Sequence, residues 1–328
     1  MATASSVVME PSVASELATA PVQSLRILVT GASGQLGNEL KRLIESGYAE
    51  IGSIPAAYQD AQVVYTDTPE LDITDADAVE TFVAAGIDGA PYDVIINGAA
   101  MTNVDGCEAQ EDLAYAVNAT GPENLARAAK AHGAKLVQVS TDYVFPGNQP
   151  GDRAETDETA PLSAYGRTKL AGEQAVQKTM DKYFIVRTAW LYGYVGKNFV
   201  KTMLNLAKNH DQVTVVNDQL GNPTSANDLA YEILKLALTD NYGIYHVTNE
   251  GTCSWADFAT AIMYGANTGC EVIPCTSEEY KQNNPASADR PAFSSLVNLH
   301  LSETIGNEMR LWQDALETYL ERLPELGN

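Results

Sequence analysis

Two side chains that could handle a proton, Tyr165 and Lys169, stand four residues apart in Ala-Tyr-Gly-Arg-Thr-Lys. On a helix this spacing puts both on one face. A free phenol titrates near about 10, too high for easy proton traffic at neutral pH. An ammonium beside it favours the phenolate and lowers that value. Thr141, 24 residues upstream in Ser-Thr-Asp, offers a hydroxyl able to orient a substrate oxygen. The trio suits acid–base chemistry at a carbonyl or an alcohol. The chain holds a second Tyr-x-x-x-Lys pair, Tyr231 and Lys235. That pair has no comparable hydroxyl partner and falls in an amphipathic run, so it is expected on a helix surface.

The elements around the first pair say what else the site contains. The turn Gly31-Ala-Ser33-Gly34-Gln35-Leu36-Gly37 follows the apolar run 25–30 and precedes a helical pattern. In a doubly wound sheet such a corner binds a pyrophosphate: glycines let the backbone approach, and the helix amino terminus supplies free N–H groups and a positive dipole. The spacing is Gly-x-x-Gly-x-x-Gly rather than the commoner Gly-x-Gly-x-x-Gly. With Tyr165 as proton donor, a nicotinamide cofactor would complete a hydride-transfer site, and Lys169 could also hold its ribose hydroxyls. Asp67, past the second strand, is the candidate for the adenosine ribose. Asp72, in Leu-Asp-Ile-Thr, is the candidate for the border of the adenine. No arginine stands near Asp67 to take a 2′-phosphate, so the sequence leans to NADH, or to indifference between NADH and NADPH. Ala99 and Ala100, in Asn-Gly-Ala-Ala after the third strand, are small enough to let the cofactor pass.

The pattern along the chain predicts an α/β fold, a Rossmann doubly wound parallel sheet with a smaller mixed α/β carboxy-terminal lobe. Strands are expected at 27–29, 62–65, 94–96, 136–139 and 184–186. Helices are expected at 35–44, 74–85 (capped by Thr74), 108–132 with a break or kink at Gly121-Pro122, and 164–178. Beyond about residue 190 the alternation loosens, with helices at 198–207, 225–238, 255–265 and 309–322 and strands at 213–216 and 244–247. The division is a mobile tail over 1–24, a dinucleotide-binding core over 25–190 and a substrate lobe over 191–328, interleaved with the core. Residues 47–61 read as an insertion.

Composition narrows the partners. The net charge is −23, with 20 basic and 43 acidic residues, and no basic cluster, which argues against nucleic acid. Cys107, Cys253, Cys270 and Cys275 form no CxxC, and the four histidines are scattered. They read as free thiols of a cytoplasmic protein, with no metal site. No run approaches twenty apolar residues, so no membrane span is expected.

These stretches together resemble the extended short-chain dehydrogenase/reductase superfamily, and within it the dTDP-4-dehydrorhamnose reductase family. The resemblance rests on Val-Thr-Gly-Ala-Ser-Gly-Gln-Leu-Gly-Asn-Glu-Leu at 29–40, Ser-Thr-Asp-Tyr-Val-Phe-Pro-Gly at 140–147 and Ala-Tyr-Gly-Arg-Thr-Lys-Leu-Ala-Gly-Glu at 164–173. Arg-Thr-Ala-Trp-Leu-Tyr-Gly at 187–193, Asn-Phe-Val-Lys-Thr-Met-Leu at 198–204, Val-Asn-Asp-Gln-Leu-Gly-Asn-Pro-Thr at 216–224 and Arg290-Pro291 extend it to about residue 323. It implies NADPH- or NADH-dependent reduction of the 4-keto group of dTDP-4-dehydro-L-rhamnose, the step that supplies rhamnose for surface polysaccharide. It implies Thr141, Tyr165 and Lys169 as the catalytic trio. Thr102, Val104, Asp142, Tyr143 and Trp190 would line the sugar-nucleotide pocket, with Gln219, Thr224 and Arg290 reaching it from the second lobe. A guanidinium such as that of Arg290 suits a diphosphate.

Some relatives form magnesium-bridged dimers through glutamates. Glu39 matches one such position, but Asn209, His210 and Asp211 stand where others are expected. Magnesium is therefore not expected, and a monomer or weak homodimer is. Two rival readings stay open at this point. One is a nucleotide-sugar epimerase or dehydratase of the same superfamily. The other is a non-catalytic subunit like the regulatory subunit of methionine adenosyltransferase.

Overall fold

The computed structural model describes residues 24–327; the expected tail falls almost wholly outside them. The first half alternates as the sequence pattern requires. It runs β1 (Arg26–Thr30), α1 (Gln35–Ser46), β2 (Gln62–Thr66), α2 (Ala76–Ala85), β3 (Val94–Asn97), α3 (Val104–Ala109), α4 (Glu111–Tyr115), α5 (Gly121–His132), β4 (Lys135–Thr141), α6 (Ala164–Thr179) and β5 (Tyr183–Thr188). There follow β6 (Leu191–Tyr192), α7 (Phe199–Ala207), β7 (Gln212–Val216), β8 (Leu220–Gly221), β9 (Thr224–Ser225), α8 (Ala226–Ala237) and β10 (Gly243–His246). The chain ends with β11 (Cys253–Ser254), α9 (Trp255–Gly265), β12 (Glu271–Cys275), α10 (Ser277–Asn283), α11 (Leu299–Thr304) and α12 (Trp312–Leu326).

Six strands form one parallel sheet in the order β10-β5-β4-β3-β1-β2. The inner strands β1 and β3 are buried at every position, as a sheet covered on both faces demands. Ile27, Val29, Leu40 and Leu43 pack on one face with Leu229, Ile233 and Leu236 of α8. Leu28, Ile95 and Leu136 pack on the other with Val79, Val83 and Leu125. The carboxy-terminal half thus returns a strand and a helix to the sheet. A separate cluster around Tyr192, Phe258, Trp312 and Tyr319 organises the rest of that half.

Several boundaries differ from expectation, each for a local reason. The second helix is capped by Asp75, whose carboxylate accepts the Asp77 and Ala78 amides, and not by Thr74, which spends its hydroxyl on Asp72. The span 108–132 is not one helix. It breaks at Gln110, continues as α4, and passes through a π-helical segment, Ala116–Thr120, before α5. The wider turn lets Asn118 point inward: its amide accepts from the Met101 amide and donates to the Met101 carbonyl and to Thr168. The 47–61 insertion folds onto the body. Tyr58 is buried and donates to the Leu234 carbonyl at 2.7 Å, and the Glu50 amide donates to Asn227 at 2.7 Å.

Candidate active site

The carboxyl ends of β1, β3, β4 and β5 meet the first turns of α1 and α6, and this edge gathers the chemistry-bearing residues. Gly31 takes φ +69°, and a Cβ there would lie 2.6 Å from the Ala99 amide. Only glycine allows the turn to pass so close to Ala99. Gly34 caps α1 without any side-chain acceptor, so the amides that open the helix stay available to an anion. Asp67 lies just past β2 and accepts the Ser33 amide at 3.0 Å, which places a carboxylate at the rim of the turn. Gln35 bridges outward, donating to the Leu191 carbonyl and accepting from Asn198 at 3.1 Å. Asp72 is exposed and caps its own turn at the Thr74 amide. The turn, the carboxylate and the small residues fit a dinucleotide: Gly31, Ser33, Gly34, Gln35, Leu36 and Gly37 would face its diphosphate, Asp67 its ribose.

Thr141 ends β4 and is buried. Its hydroxyl accepts the Tyr143 amide at 3.2 Å and donates to Asp142 at 3.0 Å. Ser163 caps α6, accepting the Gly166 amide, so Tyr165 sits in the first turn and Lys169 one turn on. A Cβ on Gly166 would lie 2.2 Å from the Tyr143 carbonyl; that close approach is what brings α6 against the end of β4. Tyr165 lies beside Thr141, and its ring meets Tyr143 edge-on at 5.6 Å. Thus the structure joins Thr141, Tyr165 and Lys169, from a strand end and a helix face.

The electrostatics differ from the expectation that the ammonium lowers the phenol. Burial pushes Tyr165 above the ordinary phenol value, with the neighbouring Thr141 hydroxyl opposing. Lys169 instead donates to the Val139 carbonyl at 2.6 Å. Burial draws Lys169 down to about 8, and Glu173 one turn further opposes that fall. A phenol that keeps its proton at neutral pH is in the form a general acid needs. Burial also pushes Asp142 up to about 6.

The residues expected around a sugar nucleotide divide into two groups. Thr102 is exposed, Val104 opens α3, and Tyr143, Trp190 and Arg290 are half-buried. Arg290 lies near the Tyr143 side chain and opposes the rise that burial gives its phenol. Trp190 holds φ +47°, rare for a bulky side chain, and stacks on Trp255 with ring centroids 3.5 Å apart. Gln219 and Thr224 stand differently. Gln219 donates to Ser277 at 2.9 Å. Thr224 is wholly buried, its amide bonded to the Trp190 carbonyl and its hydroxyl to the Asn222 carbonyl. It supports the tryptophan from behind, which corrects its expected place on the pocket wall.

A buried group beneath the trio escaped the sequence pattern. Glu173 binds Arg187 through two hydrogen bonds, at 2.9 and 2.7 Å, and accepts from Ser140. It clamps the end of β4 to β5 and α6. The signal for it was present in the spacing: Glu173 follows Lys169 by four residues and so shares its face. Asn97 is a second such residue, linking Thr30 at 2.6 Å, Gln138 at 2.7 Å and the Ala99 amide at 3.1 Å across three neighbouring strands.

Two further expectations meet a different arrangement. Glu39 is buried, accepting from Arg42 and, at 2.9 Å, from Asn227. It lies beyond the first turn of α1, so an ion pair and not the helix dipole accounts for it. Among the described residues, no three His, Cys, Asp or Glu side chains gather as a metal site. No helix among them is long and apolar enough to cross a membrane. Tyr231 is in a helix but is buried, not on its surface.

A parallel dinucleotide-type sheet with a Thr-Tyr-Lys trio at its carboxyl edge defines a nicotinamide-dependent reductase of the Rossmann class. The chain belongs to the RmlD substrate binding domain family, matched over residues 25–324. It is 40% identical to dTDP-4-dehydrorhamnose reductase of Aggregatibacter actinomycetemcomitans, over 89% of this chain and 97% of that one. It is 38% identical to the spore coat polysaccharide biosynthesis protein SpsK of Bacillus subtilis, over 90% and 97%. Among solved structures, the dTDP-4-dehydrorhamnose reductase of Bacillus anthracis in complex with NADP superposes with a TM-score of 0.82 at 41% identity, covering 92% of this chain and all 100% of that one. A UDP-glucose 4-epimerase from Thermus thermophilus, 20% identical with a TM-score of 0.72, over 92% and 99%, shares the fold alone.

Proposed function

We propose that this chain reduces the 4-keto group of dTDP-4-dehydro-L-rhamnose to give dTDP-L-rhamnose. The observation that carries this reading is the gathering of Thr141, Tyr165 and Lys169 where β4 ends and α6 begins, in a chain whose relatives at 40% identity bear that reductase's name. A nicotinamide cofactor, when bound, supplies the hydride. The glycine turn and the open end of α1 hold its diphosphate, and Asp67 faces its ribose. Lys169 holds the nicotinamide ribose and adds positive charge where oxyanion character develops.

Thr141 orients the keto oxygen. Tyr165, kept protonated by burial, gives its proton to that oxygen as it becomes an alkoxide. Tyr143, Trp190 and Val104 shape the cleft beside it, and Arg290 pairs with the diphosphate of the sugar nucleotide. No metal is required for this proton transfer, since the two hydroxyls meet the developing charge.

Incubation of the protein with reduced cofactor and the dTDP-4-keto sugar tests the proposal. Cofactor oxidation in one-to-one ratio with alcohol formed is the expected outcome. Conversion of the sugar without net oxidation would make it an epimerase or dehydratase, and no turnover would make it a binding subunit.

A further inference from the structure

We infer that Asp105 is a positioning residue that docks the 284–292 strap on the core and so holds Arg290 at the mouth of the cleft. The inference rests on the reading of Arg290 as a contact to the sugar nucleotide. The strap follows α10 in the carboxy-terminal half, while Asp105 lies in the first turn of α3, directly after Thr102 and Val104. One carboxylate oxygen of Asp105 accepts the Ala288 amide at 2.8 Å, across 183 residues of sequence. The other lies 3.6 Å from the Arg290 guanidinium. Arg290 also donates to Ser287 at 3.1 Å within the strap and lies near the Tyr143 side chain on the core.

The short helix α3 therefore faces two ways. Glu108, one turn after Asp105, accepts the Ala164 amide at 2.6 Å, next to Tyr165. Asp105 fixes the strap, and Glu108 fixes the start of the catalytic helix. The ion pair is half-exposed, with side-chain exposures of 27% for Arg290 and 48% for Asp105, so its own attraction is weak. The backbone hydrogen bond is the tighter contact, and it needs only an acceptor oxygen. Asp105 thus acts chiefly by pinning the backbone of the strap, and its weak pairing with the guanidinium can give way to the oxygens of a diphosphate.

Two substitutions of Asp105 separate backbone pinning from charge pairing. Asp105→Ala removes the acceptor and lets the strap swing out. The KM for the dTDP-4-keto sugar should rise about tenfold or more, as loss of one well-placed binding group does, with kcat and the KM for reduced cofactor unchanged. Asp105→Asn keeps an oxygen for the Ala288 amide and should recover most of the affinity. Binding of dTDP alone, measured by calorimetry, should weaken in parallel with the alanine variant. An unchanged or lowered substrate KM in Asp105→Ala would overturn the inference, the second outcome by making Asp105 a competitor for Arg290. Asp105→Asn as damaged as Asp105→Ala would overturn it too, as would a fall in kcat with a rise in cofactor KM. Arg290→Ala is the separate check on the underlying reading. If it leaves substrate KM unchanged, that reading fails; if it raises KM while Asp105→Ala does not, only the docking role fails.

Discussion

Lys235 reaches two carboxylates, Glu232 at 3.0 Å and Glu308, while Lys169 reaches a backbone carbonyl, that of Val139, at 2.6 Å. Tyr231 donates to Glu308, and Tyr165 lies beside the hydroxyl of Thr141. Both pairs are Tyr-x-x-x-Lys on a helix, and both tyrosines are raised by burial. The lysines move in opposite directions. Burial pulls Lys235 down, but its hydrogen bonds to Glu308 and Glu232 outweigh that and its net shift is upward. Burial wins at Lys169, which falls to about 8. A lysine neutralised by carboxylates is a latch between α8 and the segment before α12. A lysine held by a carbonyl keeps its charge for something else. Spacing alone cannot separate the two; the partners do, and they come from distant parts of the chain.

The strongest test of this contrast is removal of one hydroxyl. Tyr165→Phe should lower kcat by about 10²- to 10⁴-fold, the usual loss when a general acid is removed. Reduced cofactor should still bind, measured by fluorescence titration. Turnover at the parent rate would end the catalytic assignment of this pair.

Acidity sharpens the contrast next. If Lys169 must be charged, kcat/KM should fall as pH rises through about 8, the value to which burial draws it. The sign follows from the group: a lysine lowered by burial loses its proton earlier, so activity is complete below that pH and lost above it. Lys235 carries no such limb, because its shift is upward. A profile flat to pH 10 would show that Lys169 does not titrate in the catalytic cycle.

The pyrophosphate corner and the catalytic helix were legible because each is local. A buried strand, a glycine turn and a helix start lie within a dozen residues, and Tyr165, Gly166 and Lys169 within five. The inner strands show as short β-branched runs for the same reason. What stayed hidden depends on contacts across the chain. Gly121-Pro122 marked an irregularity in this span, but not its form: the π-helical turn at 116–120 places Asn118 against Met101, a contact outside the local sequence. The docking of the 47–61 insertion rests on Tyr58 meeting Leu234 and on Glu50 meeting Tyr194 at 2.6 Å and Arg310 at 3.0 Å. Thr224 matched the pocket pattern, yet its hydroxyl faces inward, a direction that composition does not encode.

Cofactor choice tests the opposite wall of the same cleft. Asp67 accepts the Ser33 amide, and its own amide donates to Glu70, so two carboxylates stand near the expected ribose. A carboxylate there favours ribose hydroxyls over a 2′-phosphate. NADH should therefore support useful turnover, with kcat/KM no more than about a hundredfold below that for NADPH, equivalent to about 2.7 kcal/mol. A larger preference for NADPH would mean that the acids turn away when cofactor binds.

The second pair gives the small effect that makes the first informative. Tyr231→Phe deletes the hydrogen bond to Glu308 and nothing at the cleft. Stability should fall by about 0.5–1.5 kcal/mol, the ordinary net value of such a bond, read as a lower denaturant midpoint. Turnover should not change. A kinetic defect in this variant would place α8 in the catalytic cycle and dissolve the distinction between latch and site.

Metal removal should have the smallest effect, and the reason is again which partner an ionisable group already has. Bridging a divalent ion through carboxylates requires several oxygens free to converge on it. Glu39 is the residue that the family resemblance marked as a possible magnesium ligand, but it is only 2% exposed and committed to Arg42 and Asn227. Arg42 lies in turn 3.8 Å from Glu50, which also binds Arg310 and approaches Arg322 at 3.6 Å. Guanidinium groups occupy the charge-neutralising role that a cation would fill, just as Glu232 and Glu308 occupy Lys235. Freeing Glu39 for a metal would leave Arg42 half-buried without that partner, and breaking a buried pair costs more than the pair contributes. EDTA should therefore leave both turnover and sedimentation unchanged. Halving of the apparent mass on chelation, or activity lost and then restored by magnesium, would show that the arginines yield to the ion and that Glu39 is not held as its contacts indicate.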